Sequence, residues 1–170
     1  MPASFVSIGL INPKSPTNVG AVMRAAGCYQ ASEVRYTGAR YARAARFHTD
    51  TKDISLRIPL RGVADLLTEL PTGTRIVCVE LVEGATPLPN FVHPEQALYV
   101  FGPEDGSIDQ ELVDRADAVV YVPTIGCMNL AATVNVLLYD RLAKSGQAQG
   151  SDTLIRSSRD TNNRVRVKHV

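Results

Sequence analysis

The sequence has no tryptophan and only three cysteines, Cys28, Cys78 and Cys127, among its 170 residues. The cysteines lie far apart and form no Cys-x-x-Cys pair, which argues against a zinc site and against a disulfide framework. The three histidines are equally scattered. We therefore expect no bound metal, and the simplest interpretation is a reduced protein of the cytoplasm.

Long hydrophobic runs are also missing. No apolar stretch approaches the roughly 18 residues that a membrane-spanning helix needs, so we expect no membrane contact. Residues 1–4 lack the basic start and the apolar core of a secretory signal. Neither Gly-x-Gly-x-x-Gly nor a Walker-type loop occurs, so nucleotide phosphates have no obvious binding loop.

The composition is that of a globular protein, with 45% hydrophobic and 21% charged residues. This apolar fraction excludes disorder for most of the chain, and the length predicts one domain with a real core. We predict a single domain over residues 1–145 and a polar, basic tail over residues 146–170.

The formal net charge of +1 conceals an uneven distribution. Residues 35–61 and residues 141–170 each carry seven Lys or Arg against two acids, whereas residues 62–140 carry two against twelve. Basic segments of this kind attract a polyanion such as nucleic acid. Solvated loops whose charges pair with the acidic middle would explain the same pattern.

Continuously apolar strands alternate with helices along the chain, which predicts an α/β fold with a parallel sheet covered by helices on both faces. We predict strands at 5–11, 33–37, 75–81, 97–101 and 118–122, and helices at 19–29, 63–70, 109–115 and 129–144. Thr17 or Asn18 is the expected cap of the first helix, and residues 39–58 are expected to form a long basic loop.

Ligands of such sheets bind beyond the carboxyl ends of the strands, which places residues 12–18, 81–84, 102–107 and 123–128 at one rim. Three motifs lie there: Asn18-x-Gly20-x-x-x-Arg24, then residues 100–106 with Gly102 and Glu104, then residues 122–130 with Asn129. Taken singly, they have ordinary explanations as a helix cap, a tight turn with solvated acids and a strand-to-helix connection.

Together and in this order, the three motifs resemble the signature of the TrmH (SpoU) family of S-adenosylmethionine-dependent RNA 2′-O-methyltransferases, within the SPOUT superfamily. The resemblance spans about residues 4–144. It implies a deep C-terminal trefoil knot, which no argument from periodicity would choose. It also implies a homodimer whose subunits share the substrate site. The length is most similar to that of the compact TrmL-type members, so tRNA is the expected substrate.

The resemblance also implies roles for particular residues. Arg24 would be the catalytic base, although a guanidinium normally stays protonated and could instead orient the 2′-hydroxyl or stabilise a developing alkoxide. The remaining catalytic residues would be Asn18, Glu104 and Asn129. The residues that line the S-adenosylmethionine pocket would be Leu81, Gly102, Val122, Cys127 and Leu130. Cys127 stands where the family usually has serine, and a thiol is the weaker hydrogen-bond donor.

An RNA substrate would explain the two basic segments, because its phosphates are negatively charged. Lys14, Arg43, Arg46 and Arg164 are candidates for RNA phosphate contacts, which give affinity without sequence choice. Two other functions stay open. One is a catalytically silent RNA-binding module of the same fold, and the other is an enzyme that uses a different adenosine-containing ligand and no RNA.

Overall fold

The computed structural model describes residues 4–47, 58–159 and 164–168. These residues form seven strands: β1 (Val6–Leu10), β2 (Glu33–Tyr36), β3 (Leu60–Gly62), β4 (Arg75–Val79), β5 (Thr86–Pro87), β6 (Ala97–Phe101) and β7 (Ala118–Tyr121). All belong to one sheet of order β3-β2-β1-β6-β4-β7-β5, and every neighbouring pair is parallel. The predicted α/β fold is confirmed. The short outer strands β3 and β5 were not predicted.

The described helices are α1 (Pro16–Cys28), α2 (Arg40–Ala45), α3 (Gln110–Arg115), α4 (Leu130–Lys144) and α5 (Asp152–Ser158), and a 3-10 turn spans Leu88–Asn90. Strand β6, at the centre of the sheet, is buried throughout. Alternate residues of β6 enter two separate cores. One core contains side chains of α1 and α4, and the other packs against α3 and residues 63–70. Both faces are therefore covered, as the apolar strands predict.

Helix α1 begins three residues before the predicted start at residue 19. Its N-cap is Ser15, whose hydroxyl accepts a hydrogen bond from the Asn18 backbone N–H at 3.2 Å, and Pro16 occupies the first turn. Serine at the cap followed by proline is a favourable helix start. The prediction that Thr17 or Asn18 caps this helix is therefore wrong. The side chain of Asn18 is left available for contacts outside the helix.

The predicted helix at residues 63–70 is also wrong, because this segment forms turns. The side chain of Arg35, only 1% exposed, donates to the backbone carbonyls of Leu66 at 3.0 Å and Thr68 at 2.8 Å. It also donates to the buried carboxylate of Glu33 at 2.6 Å. A buried guanidinium needs hydrogen-bond acceptors, and two backbone carbonyls of this segment supply them. Carbonyls that point to Arg35 do not point along a helix axis, so the segment forms turns instead.

The predicted loop at residues 39–58 is wrong in its first part, where α2 forms. Residues 48–57 of this prediction lie outside the described residues. The tail contains α5, which Ser151 caps by accepting a hydrogen bond from the Leu154 backbone N–H at 3.0 Å. The domain boundary at residue 145 stays a prediction.

A partly buried polar network joins α4 to β6 at the end of the sheet opposite the rim. His93 contacts the Tyr99 hydroxyl through Nδ1 and the Asp140 carboxylate through Nε2, both at 2.7 Å. Arg141 donates to the same hydroxyl at 2.9 Å. Burial lowers the pKa of His93 below its usual value, although the contact with Asp140 opposes the shift. The imidazole is therefore held in its neutral form.

Within the described residues, no helix combines the length and the apolar character needed to cross a membrane. In the same part of the chain, no group of three or more His, Cys, Asp or Glu residues is arranged to hold a metal ion.

The lowered pKa of His93 predicts loss of stability in mild acid. As the pH falls below about 6.5, the unfolded chain takes up a proton on His93 before the folded protein does. The stabilisation is therefore complete above that pH and decreases below it. We expect His93→Gln to reduce the free energy of unfolding at pH 7.5 by about 1–3 kcal/mol and to flatten its decrease towards pH 5.5. Urea unfolding across this range measures both effects. If the free energy of unfolding changes with pH in the same way in both proteins, the prediction is contradicted. The other two histidines are present in both proteins, so their contributions cancel in the comparison.

Candidate functional site

Three neighbouring strands, β6, β4 and β7, end at the same rim of the sheet. The segments that follow them surround a cavity of about 300 Å³, which Asn18 of α1 and the first residues of α4 complete. Its walls include the apolar side chains of Leu81, Val122 and Leu130 and the carboxylates of Glu80 and Glu104. The cavity thus forms at the carboxyl ends of the strands, where parallel α/β sheets bind their ligands.

Most of the residues that the motifs single out line this cavity. They are Asn18, Leu81, Gly102, Glu104, Val122, Cys127, Asn129 and Leu130. Arg24 is the exception: it is exposed on α1 and is not among the lining residues. The implied knot would involve the loops at residues 81–84, 102–107 and 123–128, and all three contribute to the cavity walls. The threading of the chain through them stays a prediction.

A chain of hydrogen bonds centred on Glu104 connects the motifs. The Glu104 carboxylate accepts from the backbone N–H groups of Lys14 at 3.1 Å and Ser15 at 3.2 Å, and from the Asn18 side-chain amide at 3.4 Å. The Asn129 amide donates to the Asn18 oxygen at 3.3 Å. Asn129 also caps α4, because its own oxygen accepts from the Ala131 N–H at 2.9 Å. Both asparagine side chains are therefore held in a defined orientation.

The protonation state of Glu104 follows from these contacts. Burial disfavours the charged carboxylate, but hydrogen bonds from its own backbone N–H, from Lys14 and Ser15 and from Asn18 outweigh it and lower the pKa of Glu104. The carboxylate is ionised at neutral pH and engaged by donors. A group of this kind is a poor proton acceptor, so Glu104 is suited to orient its neighbours rather than to remove a proton.

Gly102 lies where loops of the site come closest together. A Cβ atom at this position would be 3.2 Å from the Ile108 nitrogen and 3.3 Å from both the Glu80 Oε2 atom and the Ser107 carbonyl carbon. Two of these neighbours are backbone atoms. A side chain here would therefore displace the cavity wall, which explains the glycine at the end of β6.

Glu80 is a cavity residue that the sequence analysis missed. Its Oε1 accepts from the Leu81 N–H at 3.0 Å and its Oε2 accepts from the Ile108 N–H at 3.2 Å, so it joins two loops of the site. A carboxylate at the end of a buried strand, at the rim of a parallel sheet, was the signal that could have identified it.

Two of the three cysteines have contrasting environments. Cys127 is exposed and lines the cavity. Cys78 is buried in β4, where burial, with a smaller effect of Glu80, raises the pKa of its thiol to about 11. Cys78 is therefore inert at neutral pH.

The predicted RNA contacts are all exposed. Lys14 lies at the rim, where its Nζ atom is 3.9 Å from the Asp105 carboxylate. Arg43 is in the last turn of α2 and Arg46 is its C-cap residue, while Arg164 belongs to the described part of the tail. The sequence analysis did not single out Asp105 or Arg40, whose guanidinium bonds to that same carboxylate.

The family model of the SpoU rRNA Methylase family matches residues 6–139, most of the chain. The chain belongs to this family. The match includes all three motifs and every residue that lines the cavity. None of the curated proteins matches the chain.

Several solved structures share the fold of this chain. AviRb from Streptomyces viridochromogenes, a SpoU methyltransferase in complex with AdoMet, has a TM-score of 0.70 at 17% identity, covering 88% of this chain and 61% of that one. This chain therefore spans about three fifths of that protein. The A. aeolicus TrmH/SpoU tRNA modifying enzyme has a TM-score of 0.68 at 17% identity, covering 91% and 85%. A structure that concerns the 2-OH methylation of C/U34 on tRNA has a TM-score of 0.71 at 22% identity, covering 85% and 92%. At these identities the likeness shows the fold.

Proposed function

We propose that this protein transfers a methyl group from S-adenosylmethionine to a ribose 2′-hydroxyl of RNA, with tRNA as the substrate and the cytoplasm as its compartment. The observation that carries the proposal is the cavity enclosed by the three motif segments, with the linked Asn18, Glu104 and Asn129 side chains on its wall. Family membership supports methyl transfer to RNA. The structures of tRNA-modifying enzymes, one of them concerned with 2-OH methylation, support the finer assignment.

The cavity residues fit the proposed cofactor. A volume of about 300 Å³ is at the lower end of the usual range for ligand pockets. Leu81, Val122 and Leu130 provide apolar walls for an adenosine, and the missing side chain of Gly102 allows close approach to the backbone. The Glu80 carboxylate complements a cationic ligand. When bound, S-adenosylmethionine supplies a methyl group that is already activated by its sulfonium.

The protein must then align the ribose hydroxyl with the methyl group and allow the hydroxyl proton to leave. Glu104 is already ionised and hydrogen-bonded, so we assign it to holding Asn18, which in turn orients Asn129. Arg24 would donate hydrogen bonds to the hydroxyl oxygen and stabilise the negative charge that develops there. A substrate phosphate could assist by accepting the proton.

Arg24 can fulfil this role in a homodimer. Helix α4 exposes a stripe of apolar side chains at helical spacing, Ala132, Val136, Tyr139 and Ala143, with Tyr139 61% exposed. Helix α1, which packs beside α4, carries Arg24 on its exposed side. A second copy that covers the stripe would place Arg24 at the subunit interface. We infer that it serves the cavity of the partner.

A methyl-transfer assay with total tRNA and labelled S-adenosylmethionine tests the function. We expect incorporation into 2′-O-methylated nucleosides, identified by mass spectrometry after digestion. Binding of tRNA without methyl transfer would instead support the silent RNA-binding module. Binding of an adenosine ligand with no affinity for RNA would support the third possibility.

Mixing two inactive variants tests the shared site. Arg24→Ala should lack activity but bind the cofactor within a few-fold of wild type, while Gly102→Val should lose the cofactor because its wall is displaced. If Arg24 serves the partner, a heterodimer of the two has one intact site. Random exchange should then restore about one quarter of wild-type activity. No recovery, with heterodimers present by native mass spectrometry, would show that Arg24 does not act across the interface.

The salt dependence of tRNA binding tests the basic surface. Each lost phosphate contact should weaken binding and reduce the slope of log K against log salt by about 0.7–0.9. We expect this for Arg43→Ala, Arg46→Ala and Arg164→Ala combined, with unchanged cofactor affinity. Arg115→Ala, which removes an exposed arginine from α3, is the matched control. If the plots of log K against log salt coincide for wild type and the triple variant, these residues do not contact RNA.

A further inference from the structure

The three arginines of the α2 region differ in what they contact. Arg43 and Arg46 are exposed, and no hydrogen bond or ion pair of either guanidinium is found among the described residues. Arg40, at the start of the helix, donates hydrogen bonds to residues at the rim of the sheet. Its Nη1 and Nη2 atoms bond to the two oxygens of Asp105 at 2.8 Å and 3.0 Å. A two-point contact of this kind fixes the orientation of both groups.

Arg40 also holds the loop between β1 and α1. Its Nε and Nη2 atoms donate to the backbone carbonyl of Asn12 at 3.2 Å and 2.6 Å. Asn12 has a φ of +40°, in the left-handed region. Its side chain packs against Gly38, where an added Cβ atom would lie 2.1 Å from the side-chain oxygen Oδ1 of Asn12. The chain entering α2 is thus fitted against the loop that leads to Lys14 and Ser15.

Asp105 directly follows Glu104, whose carboxylate accepts from the Lys14 and Ser15 amides and from Asn18. A contact that fixes Asp105 therefore restrains the backbone that presents Glu104. The hydrogen bond from Arg40 is the main reason that the pKa of Asp105 falls to about 2, so the pair stays charged at any working pH. A continuous set of contacts thus runs from α2 through Asp105 and Glu104 to Asn18 and Asn129.

We propose that Arg40 is a positioning residue that, through Asp105, aligns the Glu104 loop with the basic helix α2. This proposal rests on the proposed function, because α2 carries two of the predicted RNA contacts. RNA bound to Arg43 and Arg46 then lies in a fixed relation to the cavity. Arg40 itself is not a phosphate contact. The two side chains remain 33% and 46% exposed, and exposed pairs contribute little to stability, so breaking the pair at Asp105 leaves the fold intact.

Asp105→Asn separates positioning from binding. It removes a negative charge beside the RNA surface, so electrostatics alone would leave tRNA affinity unchanged or make it tighter. If the pair positions the site, kcat should nevertheless fall between about tenfold and a hundredfold, as expected when reacting groups are misaligned. The KM for tRNA should not rise. Arg40→Lys, which keeps the charge but loses the two-point contact, should show the same loss, and the double variant should be no worse than either single one.

Hydrogen exchange provides a readout that does not need activity. In Asp105→Asn, the Lys14 and Ser15 amides should exchange faster than in wild type, because the Glu104 carboxylate that binds them is less restrained. Arg75→Ala is the matched control, since it breaks the exposed 3.1 Å pair with Asp117 at the amino end of β4. It should change neither kcat nor the exchange of these amides.

Two results would overturn the inference. One is unchanged exchange together with kcat within twofold of wild type in Asp105→Asn. The other is an Arg40→Ala variant whose only defect is weaker tRNA binding with a reduced salt slope, which would make Arg40 a phosphate contact. Absence of methyl transfer in the wild-type protein would count against the proposed function instead, and the exchange measurement would still decide whether the pair restrains the loop.

Discussion

The hydrogen bonding of one carboxylate, Glu104, determines how the site is assembled. It accepts from two backbone amides of the β1–α1 loop and from the side chain of Asn18, and Asn18 accepts from Asn129 at the start of α4. Three segments distant in sequence are thereby brought into register at one rim. The Glu104 carboxylate is partly withdrawn from solvent, and the surrounding donors stabilise its charge, so the loop geometry and the ionisation of Glu104 depend on each other.

The core of the fold could be predicted because burial leaves a strong signal in the sequence. β1 and β6 are buried throughout and mostly apolar because both of their faces are covered, and the sequence analysis located both strands. Residues 63–70 have the apolar spacing of a helix, yet the buried guanidinium of Arg35, distant in sequence, takes two of their carbonyls. A tertiary hydrogen bond of this kind has no local signature, and this is why the prediction failed there.

The candidate site was predictable to a similar degree. Motifs that end successive parallel strands must meet at one rim, and eight of the singled-out residues do line the cavity there. Glu80 and the contact between Arg40 and Asp105 were missed. Glu80 follows a buried strand, a position that could have identified it, whereas the pairing of Arg40 with Asp105 has no signal in the sequence and shows only in the three-dimensional arrangement.

The edge of the sheet at β5 limits how this protein can associate. The strand has only two residues, and one of them, Pro87, has no N–H to offer to a further strand. A second chain therefore finds no ladder to extend on this side, and the edge is protected from the open-ended pairing that leads to aggregates. In the homodimer that we propose, the exposed face of α4 would form the contact, which closes on itself at two subunits rather than propagating.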